Sequence, residues 1–117
     1  MKNVSTHSES DIPLEEAAST FAALGSEQRL LVLRSLVRAG PDGSSIGALG
    51  ERTGITGSTL THHLKILTQA GLVTQTRSGR SIICAAVAYD RITALSDFLV
   101  QECCADTQSP CEEHRHG

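Results

Sequence analysis

Residues 56–72 constrain the fold of this chain more than any other segment. Leu60, Leu64 and Leu67 are spaced i, i+4, i+7, which places them on one face of an α-helix. Most of the remaining positions carry hydroxyl, imidazole, amide and lysine side chains, and such groups suit contacts with base edges and phosphates. Gly71 follows, and glycine accepts the left-handed conformation that ends many helices. We therefore predict an amphipathic helix whose polar face suits contact with nucleic acid.

The composition narrows the class of nucleic acid and the kind of core. The chain has 117 residues, which is typical of one domain. Aromatic residues make up 3% and tryptophan is absent, so the core must be built from Leu, Ile, Val and Ala, which favours helices. Because single-stranded nucleic acids are bound largely by stacking on aromatic rings, this composition favours a double-stranded partner.

Charge is distributed unevenly along the chain. The formal net charge is −3, which by itself argues against binding to DNA. Residues 52–91 nevertheless carry a net charge of +4, whereas residues 1–16 carry −3 and residues 97–117 carry −4. Phosphates are attracted by charges within about one Debye length, roughly 10 Å, so the positive middle outweighs the total.

The organisation of the chain follows from its apolar spacing. We predict a disordered N-terminal segment over 1–12, one folded domain over 13–104 and a flexible tail containing cysteine and histidine over 105–117. Four helices precede the hairpin, and Ser44 or Ser45 caps the third. The positions expected to be buried in the first three helices are Leu14, Ala17, Ala18, Phe21, Leu24, Leu30, Leu31, Leu33, Leu36, Val37, Ile46, Ala48 and Leu49.

A β-hairpin and a last helix complete the predicted fold. Extended runs over 72–77 and 81–87 are separated by Ser78-Gly79-Arg80, a typical hairpin tip. The last helix begins near Tyr89 or Asp90 and runs into Glu102-Cys103-Cys104. The predicted fold class is mainly α with a β-hairpin, a winged helix-turn-helix of order ααααββα.

Three segments of the chain resemble the ArsR/SmtB family of winged-helix repressors. FAALGSEQRLLVLRSL is similar to the stretch that leads into the family's second helix, STLTHHLKILTQAGLV to its recognition helix and TRSGRSIICAAV to its wing. The resemblance covers about residues 14–104. It implies a homodimer, paired through the first and last helices, that binds an inverted repeat in double-stranded operator DNA. It also implies release by a metal, a metalloid or a redox signal, and no catalytic activity.

The family's DNA contacts transfer to matching positions of this sequence. The resemblance assigns base and phosphate contacts to Ser58, Thr59, Thr61, His62, Lys65, Arg77 and Arg80. His63 follows His62 by about 100° around the helix, so the two rings point in different directions. We expect His62 to face DNA and His63 to pack against neighbouring helices with its nitrogens hydrogen-bonded.

Cysteines near the C-terminus form a second candidate site. Cys103, Cys104 and Cys111 supply three soft thiolates within nine residues, and soft ligands select soft centres. Trivalent arsenic and antimony prefer three sulfurs, so As(III) or Sb(III) is the predicted inducer. Zinc prefers four ligands, and the fourth would have to be His114 or His116.

Other members of the family differ from this chain at the sensing positions. The zinc-responsive members carry carboxylate and histidine ligands along the last helix, where this chain offers only Asp90 and Asp97. The best-known arsenic-responsive members have cysteines at the start of the DNA-binding unit, whereas residues 26–55 contain none. The likeness is therefore to members with C-terminal cysteines.

Several alternatives stay open. The same cysteines could sense thiol oxidation or persulfides, or bind Cd, Pb or Zn. Cys84 fits a small buried hydrophobic residue, although it could join Cys103 or Cys104 around an organic arsenical. A thiol enzyme such as an arsenate reductase is disfavoured because no oxyanion-binding loop surrounds any cysteine. A winged helix that binds only proteins would lack salt-dependent DNA binding.

The sequence also indicates a compartment. No apolar run approaches the roughly 20 residues that a membrane span needs, and no signal peptide is visible. We therefore expect a cytoplasmic protein, in which cysteines are mostly reduced thiols.

Overall fold

The computed structural model describes residues 12–107. Within that range the elements are α1 (Leu14–Leu24), α2 (Glu27–Ala39), β1 (Ser44–Ser45), α3 (Ile46–Thr53), α4 (Gly57–Gln69), β2 (Val73–Ser78), β3 (Ser81–Ala86) and α5 (Tyr89–Val100). Ile12, the last residue of the predicted disordered segment, packs partly buried against the core, so the predicted boundary there was wrong. The rest of that segment and most of the predicted flexible tail, including Cys111, lie outside the described residues. None of the described helices is long and apolar enough to cross a membrane.

The core lies where α2, α3 and α4 meet the sheet. Leucine side chains of all three helices are fully buried there, and the start of β2, the middle of β3 and α5 close the cluster. Its members are Val32, Leu33, Leu36, Leu49, Ile55, Leu60, Leu64, Leu67, Leu72, Val73, Cys84 and Leu95. The predicted apolar face of α4 is thus confirmed. Burial of this face holds the outer side of α4 toward solvent.

Three antiparallel strands form a small sheet of order β1-β3-β2. The hairpin of β2 and β3 agrees with the prediction, but Ser78 pairs with Ser81 and belongs to the strand rather than to the tip. Gly79, at φ 65°, opens the remaining two-residue turn. β1 is a two-residue strand that pairs Ser44 with Cys84, and it was not predicted. So short a strand has no period of its own and is defined only by its partner.

Several apolar positions predicted to be buried in the helices are exposed. On α1, Leu14 is 73% exposed, whereas the predicted Ala17 is buried and the predicted Phe21 and Leu24 pack against the core cluster. The side chains of Leu30, Leu31 and Val37 on α2 are 43–47% exposed, and Ala18 and Ala48 also face solvent. The apolar stripes are wider than the faces that residues 12–107 cover, which explains why spacing alone overpredicted burial.

The last helix ends earlier than predicted. Its final helical residue is Val100, and residues 101–106 form turns in place of the predicted continuation through Glu102-Cys103-Cys104. The turns are closed by hydrogen bonds between residues three apart, such as Cys103 N–H to the Val100 carbonyl at 2.9 Å. Cys104 adopts the left-handed conformation at φ 64°, which no helix interior accepts. Cysteine, aspartate and threonine are also weak helix formers.

Gly43, next to β1, lies close to the backbone of Cys84 on β3. This close approach leads to a prediction about stability. Its φ is 74°, and a Cβ atom there would overlap the carbonyl oxygen of Cys84. Gly54 has a similar φ of 76° but open space around it. Gly54→Ala should therefore lower the free energy of unfolding by only about 1–2 kcal/mol, through backbone strain. Gly43→Ala should lower the free energy of unfolding by about 1–3 kcal/mol more, because the added Cβ atom overlaps the Cys84 carbonyl oxygen. Urea unfolding of both variants measures the difference, and equal losses would contradict the overlap.

Candidate nucleic-acid interface

The turn between α3 and α4 is fixed by local hydrogen bonds. Gly54 ends α3 in the left-handed conformation, and its N–H donates to the Gly50 carbonyl at 2.8 Å. The Thr53 hydroxyl donates to the Leu49 carbonyl at 2.8 Å and accepts from the Ile55 N–H at 3.3 Å. Ile55 is buried against the core and directs the chain into α4. Helix, short turn and helix therefore have the arrangement of a helix-turn-helix unit.

The polar side chains of α4 occupy one continuous exposed face, which we call the α4 polar face. At 100° per residue its members span about 160° of the helix circumference. They are Ser58, Thr59, Thr61, His62, Lys65 and Gln69, and all six are exposed. The opposite side carries Leu60, His63, Leu64 and Leu67, all buried. The packing of α4 therefore presents hydroxyl, imidazole, amide and ammonium groups together to solvent.

The hairpin adds two exposed cations to this part of the chain. Arg77 lies on β2 opposite Ile82, and Arg80 lies in the two-residue turn at the hairpin tip. Both side chains are exposed, as Lys65 is on α4. Guanidinium groups of this kind suit phosphate oxygens, which they can bind with two hydrogen bonds. All seven sequence-predicted DNA-contacting residues are thus exposed on α4 or the hairpin.

The adjacent histidines of α4 have different surroundings, as predicted. His62 is exposed within the α4 polar face, whereas His63 is 8% exposed on the opposite side. The ring of His63 contacts Gln28 through Nε2 at 2.8 Å and Arg29 through Nδ1 at 3.3 Å. Burial lowers the pKa of His63 below its ordinary value of 6.5, and the nearby Arg29 and His62 lower it further. Sequence reasoning did not find Gln28 or Arg29, since nothing in their spacing indicates a contact 34 or 35 residues away.

Two of the predicted thiol ligands lie together after α5. The sulfur atoms of Cys103 and Cys104 are 3.5 Å apart. Two thiolates bound at about 2.3 Å to one tetrahedral ion would lie about 3.8 Å apart, a similar spacing, but only a reduced Cys104 would offer a thiolate. Cys103 is an exposed free thiol, and Cys104 is disulfide-bonded. The third predicted ligand, Cys111, lies outside the described residues, and residues 12–107 contain no cluster of three metal-binding side chains.

Cys84 has the environment of a core residue. It is fully buried in β3, and its sulfur accepts a hydrogen bond from the Gln75 amide at 3.9 Å. Burial raises the pKa of this thiol, which disfavours the thiolate that a metal or metalloid would require. These surroundings agree with the interpretation of Cys84 as a small hydrophobic residue.

Comparisons with known proteins agree with this geometry. A helix-turn-helix domain model matches residues 24–76, from the end of α1 into β2. The transcriptional regulator NmtR of Mycobacterium tuberculosis is 40% identical over 68 residues, which are 58% of this chain and 54% of NmtR. An ArsR-like transcriptional regulator from Rhodococcus sp. RHA1 has 28% identity and a TM-score of 0.63, covering 79% of this chain and 82% of that one.

A further solved structure extends the likeness in fold to nearly the whole chain. A homodimeric winged helix-turn-helix DNA-binding domain of Mycobacterium bovis covers 95% of this chain and 100% of that fragment. Its TM-score is 0.62 and its identity 22%, so it supports the fold alone.

Fold and interface together define a winged helix-turn-helix protein, in which α3 and α4 form the helix-turn-helix and β2 and β3 form the wing. The chain is similar to HTH-type and ArsR-like transcriptional regulators. The relatives named above are described as transcriptional regulators. The matched segment spans about half the length of NmtR.

Proposed function

We propose that this protein is a transcriptional repressor that binds an inverted repeat in double-stranded operator DNA as a homodimer. The α4 polar face is the observation that carries this proposal. Although the chain has a net charge of −3, this face exposes base-reading groups and a cation together on one helix. In this arrangement α4 enters the major groove, Ser58, Thr59, Thr61 and His62 contact bases, and Lys65, Arg77 and Arg80 contact phosphates.

Exposed apolar side chains on the first and last helices support the dimer. Leu14 on α1 and Leu99 and Val100 on α5 are 73%, 68% and 61% exposed in the single chain. Covering such side chains with a second copy removes apolar surface from water, which is favourable at about 25 cal/mol per Å². A dimer paired there would present two copies of α4 to successive major grooves, about 34–36 Å apart.

The proposed signal is a trivalent metalloid, As(III) or Sb(III), bound by Cys103, Cys104 and Cys111. The 3.5 Å separation of the first two sulfurs and the softness of thiolate ligands support this choice. Because Cys104 is disulfide-bonded, it must first be reduced in order to bind an ion. Metalloid binding and DNA binding would then oppose each other with one reciprocal coupling energy, typically about 1–3 kcal/mol.

Thiol redox sensing is the second candidate function, and the bonded state of Cys104 favours it. Cys103 is exposed and lies 3.5 Å from the Cys104 sulfur. Attack by its thiolate would form a Cys103–Cys104 bond, break the existing disulfide of Cys104 and release the other cysteine of that disulfide as a thiolate. In this alternative an oxidant or a persulfide donor releases the operator, and arsenite acts only after reduction or not at all. Binding of Cd, Pb or Zn at the same cysteines is a further variant.

We expect wild-type protein to bind duplex DNA with a steep dependence on salt. If Lys65, Arg77 and Arg80 of both protomers contact phosphates, roughly six contacts form, and log K should fall against log salt with a slope of about −5. Fluorescence anisotropy with a labelled duplex selected from a random-sequence pool measures this slope. A chain that binds no selected duplex, or binds one without salt dependence, would contradict the proposed DNA-binding function.

A further inference from the structure

A hydrogen-bonded bridge connects three helices behind the α4 polar face. The Nε2 atom of His63 lies 2.8 Å from Oε1 of Gln28, and its Nδ1 atom lies 3.3 Å from Nη1 of Arg29. The same arginine donates from Nε to the Ala23 carbonyl at 2.6 Å. The bridge therefore joins the end of α1, the first turn of α2 and the middle of α4. We call Gln28, Arg29 and His63 the histidine bridge.

The partners in the histidine bridge define the protonation state of its ring. The Gln28 oxygen can only accept, so Nε2 of His63 carries the hydrogen and donates it. The Arg29 guanidinium can only donate, so Nδ1 must offer a lone pair. Only a neutral imidazole protonated at Nε2 satisfies both partners. A second proton would remove the acceptor at Nδ1 and put a positive charge next to Arg29.

The position of His63 on α4 gives the bridge an effect on the exposed side. Thr61, His62 and Lys65 lie within one turn of His63 on the same rigid helix. Side-chain atoms on such a helix lie about 5–6 Å from its axis, so a roll of about 20° displaces them by about 2 Å. That displacement is several times the width, about 0.5 Å, of the 2.7–3.2 Å range of donor–acceptor distances in typical hydrogen bonds. Fixing the ring of His63 therefore fixes where the α4 polar face points.

We propose that His63 is a positioning residue for DNA binding: its neutral ring, held by Gln28 and Arg29, sets the roll of α4 against α2 without touching DNA. This inference rests on the proposed DNA-binding function. Leucines alone define the depth at which α4 packs, but their contacts are non-directional. The histidine bridge adds directional contacts at two ring nitrogens, and it makes the roll of α4 dependent on the protonation of His63.

The sign of the pH dependence follows from the groups around the ring. The charged or titratable groups that act on His63 are Arg29 from α2 and His62 from its own helix, and both disfavour a second positive charge. Burial acts in the same direction and lowers the pKa of His63. The bridge is therefore intact above pH 6.5, the ordinary value, and is lost as pH falls through the lower pKa of the folded protein.

Three variants of the full chain test the proposal by anisotropy with the selected duplex between pH 7.5 and 5.5. His63→Gln keeps an amide donor and an acceptor but does not titrate. We expect it to bind within about threefold of wild type at pH 7.5 and to lose no affinity in acid. His63→Leu keeps the burial but removes both ring contacts, and it should bind at least tenfold more weakly at pH 7.5.

The neighbouring histidine provides the matched control. His62→Gln should retain the acid-induced loss of affinity that wild type shows as the pH falls below 6.5. Circular dichroism at each pH verifies that the variants are folded. In wild-type protein, the ¹⁵N chemical shifts of the His63 imidazole should report a neutral ring with hydrogen on Nε2 at pH 7.5.

Equal acid-induced losses in wild type and His63→Gln, or full binding by folded His63→Leu, would overturn the positioning role while leaving DNA binding intact. A wild-type chain that binds no duplex at pH 7.5 would overturn the proposed function, and this role with it.

Discussion

Replacing Lys65 and Arg77 by glutamine should weaken DNA binding by about 1,000-fold at 0.15 M salt. The pair lies on α4 and β2, both side chains are exposed, and a dimer would lose four phosphate contacts. Each lost contact reduces the salt slope by about 0.9, so the slope should become shallower by about 3.6. At 0.15 M, that change in slope corresponds to about three orders of magnitude in affinity. Anisotropy titrations between 0.05 and 0.3 M salt measure both quantities.

A matched variant separates local contacts from net charge. Arg34 and Arg38 are also exposed, but they lie on α2. Arg34→Gln with Arg38→Gln changes the net charge by the same two units as Lys65→Gln with Arg77→Gln. We expect the α2 variant to lose at most a few-fold in affinity, because screening limits charges beyond about 10 Å. Equal losses in both double variants would mean that DNA is attracted by overall charge, and the assignment of α4 and the wing as the interface would be wrong.

Much of this interface could be predicted because local spacing defines it. Leu60, Leu64 and Leu67 are buried at the predicted interval, and their burial alone directs the polar residues of α4 outward. The separation of His62 from His63 follows from the same geometry, since neighbouring residues are about 100° apart. Helix caps are equally local: Ser45 accepts a hydrogen bond from the Ala48 N–H at 3.1 Å, as the cap prediction required.

Features that depend on distant parts of the chain could not be predicted. The partners of His63 come from α2, and the two-residue strand β1 exists only because β3 pairs with it. Spacing revealed the apolar stripe of α1 without revealing that Leu14 is 73% exposed among residues 12–107. The predicted end of α5 was wrong because the helix stops where the backbone of Cys104 turns left-handed, and no apolar repeat indicates that turn.

The cysteine pair after α5 should carry the response to metalloids. In wild-type protein kept reduced, arsenite should weaken operator binding by about 5–150-fold, the range that a coupling energy of 1–3 kcal/mol produces. Cys103→Ser with Cys104→Ser keeps the size of both side chains but replaces soft sulfur by hard oxygen, which binds trivalent arsenic poorly. We expect this variant to bind the operator as wild type does and to show no release at any arsenite concentration that releases wild type.

Cys84→Ala is the matched control for loss of a thiol. Cys84 is buried in the core and its pKa is raised, so its removal should leave the arsenite response unchanged. Parallel titrations with antimonite, Cd(II), Pb(II), Zn(II) and a persulfide donor identify the signal that acts at the lowest concentration. Release of the double-serine variant by the same arsenite dose as wild type would remove Cys103 and Cys104 from the sensing site. Release of wild type by the persulfide donor alone would favour thiol redox sensing, because a disulfide or polysulfide then replaces the bound ion.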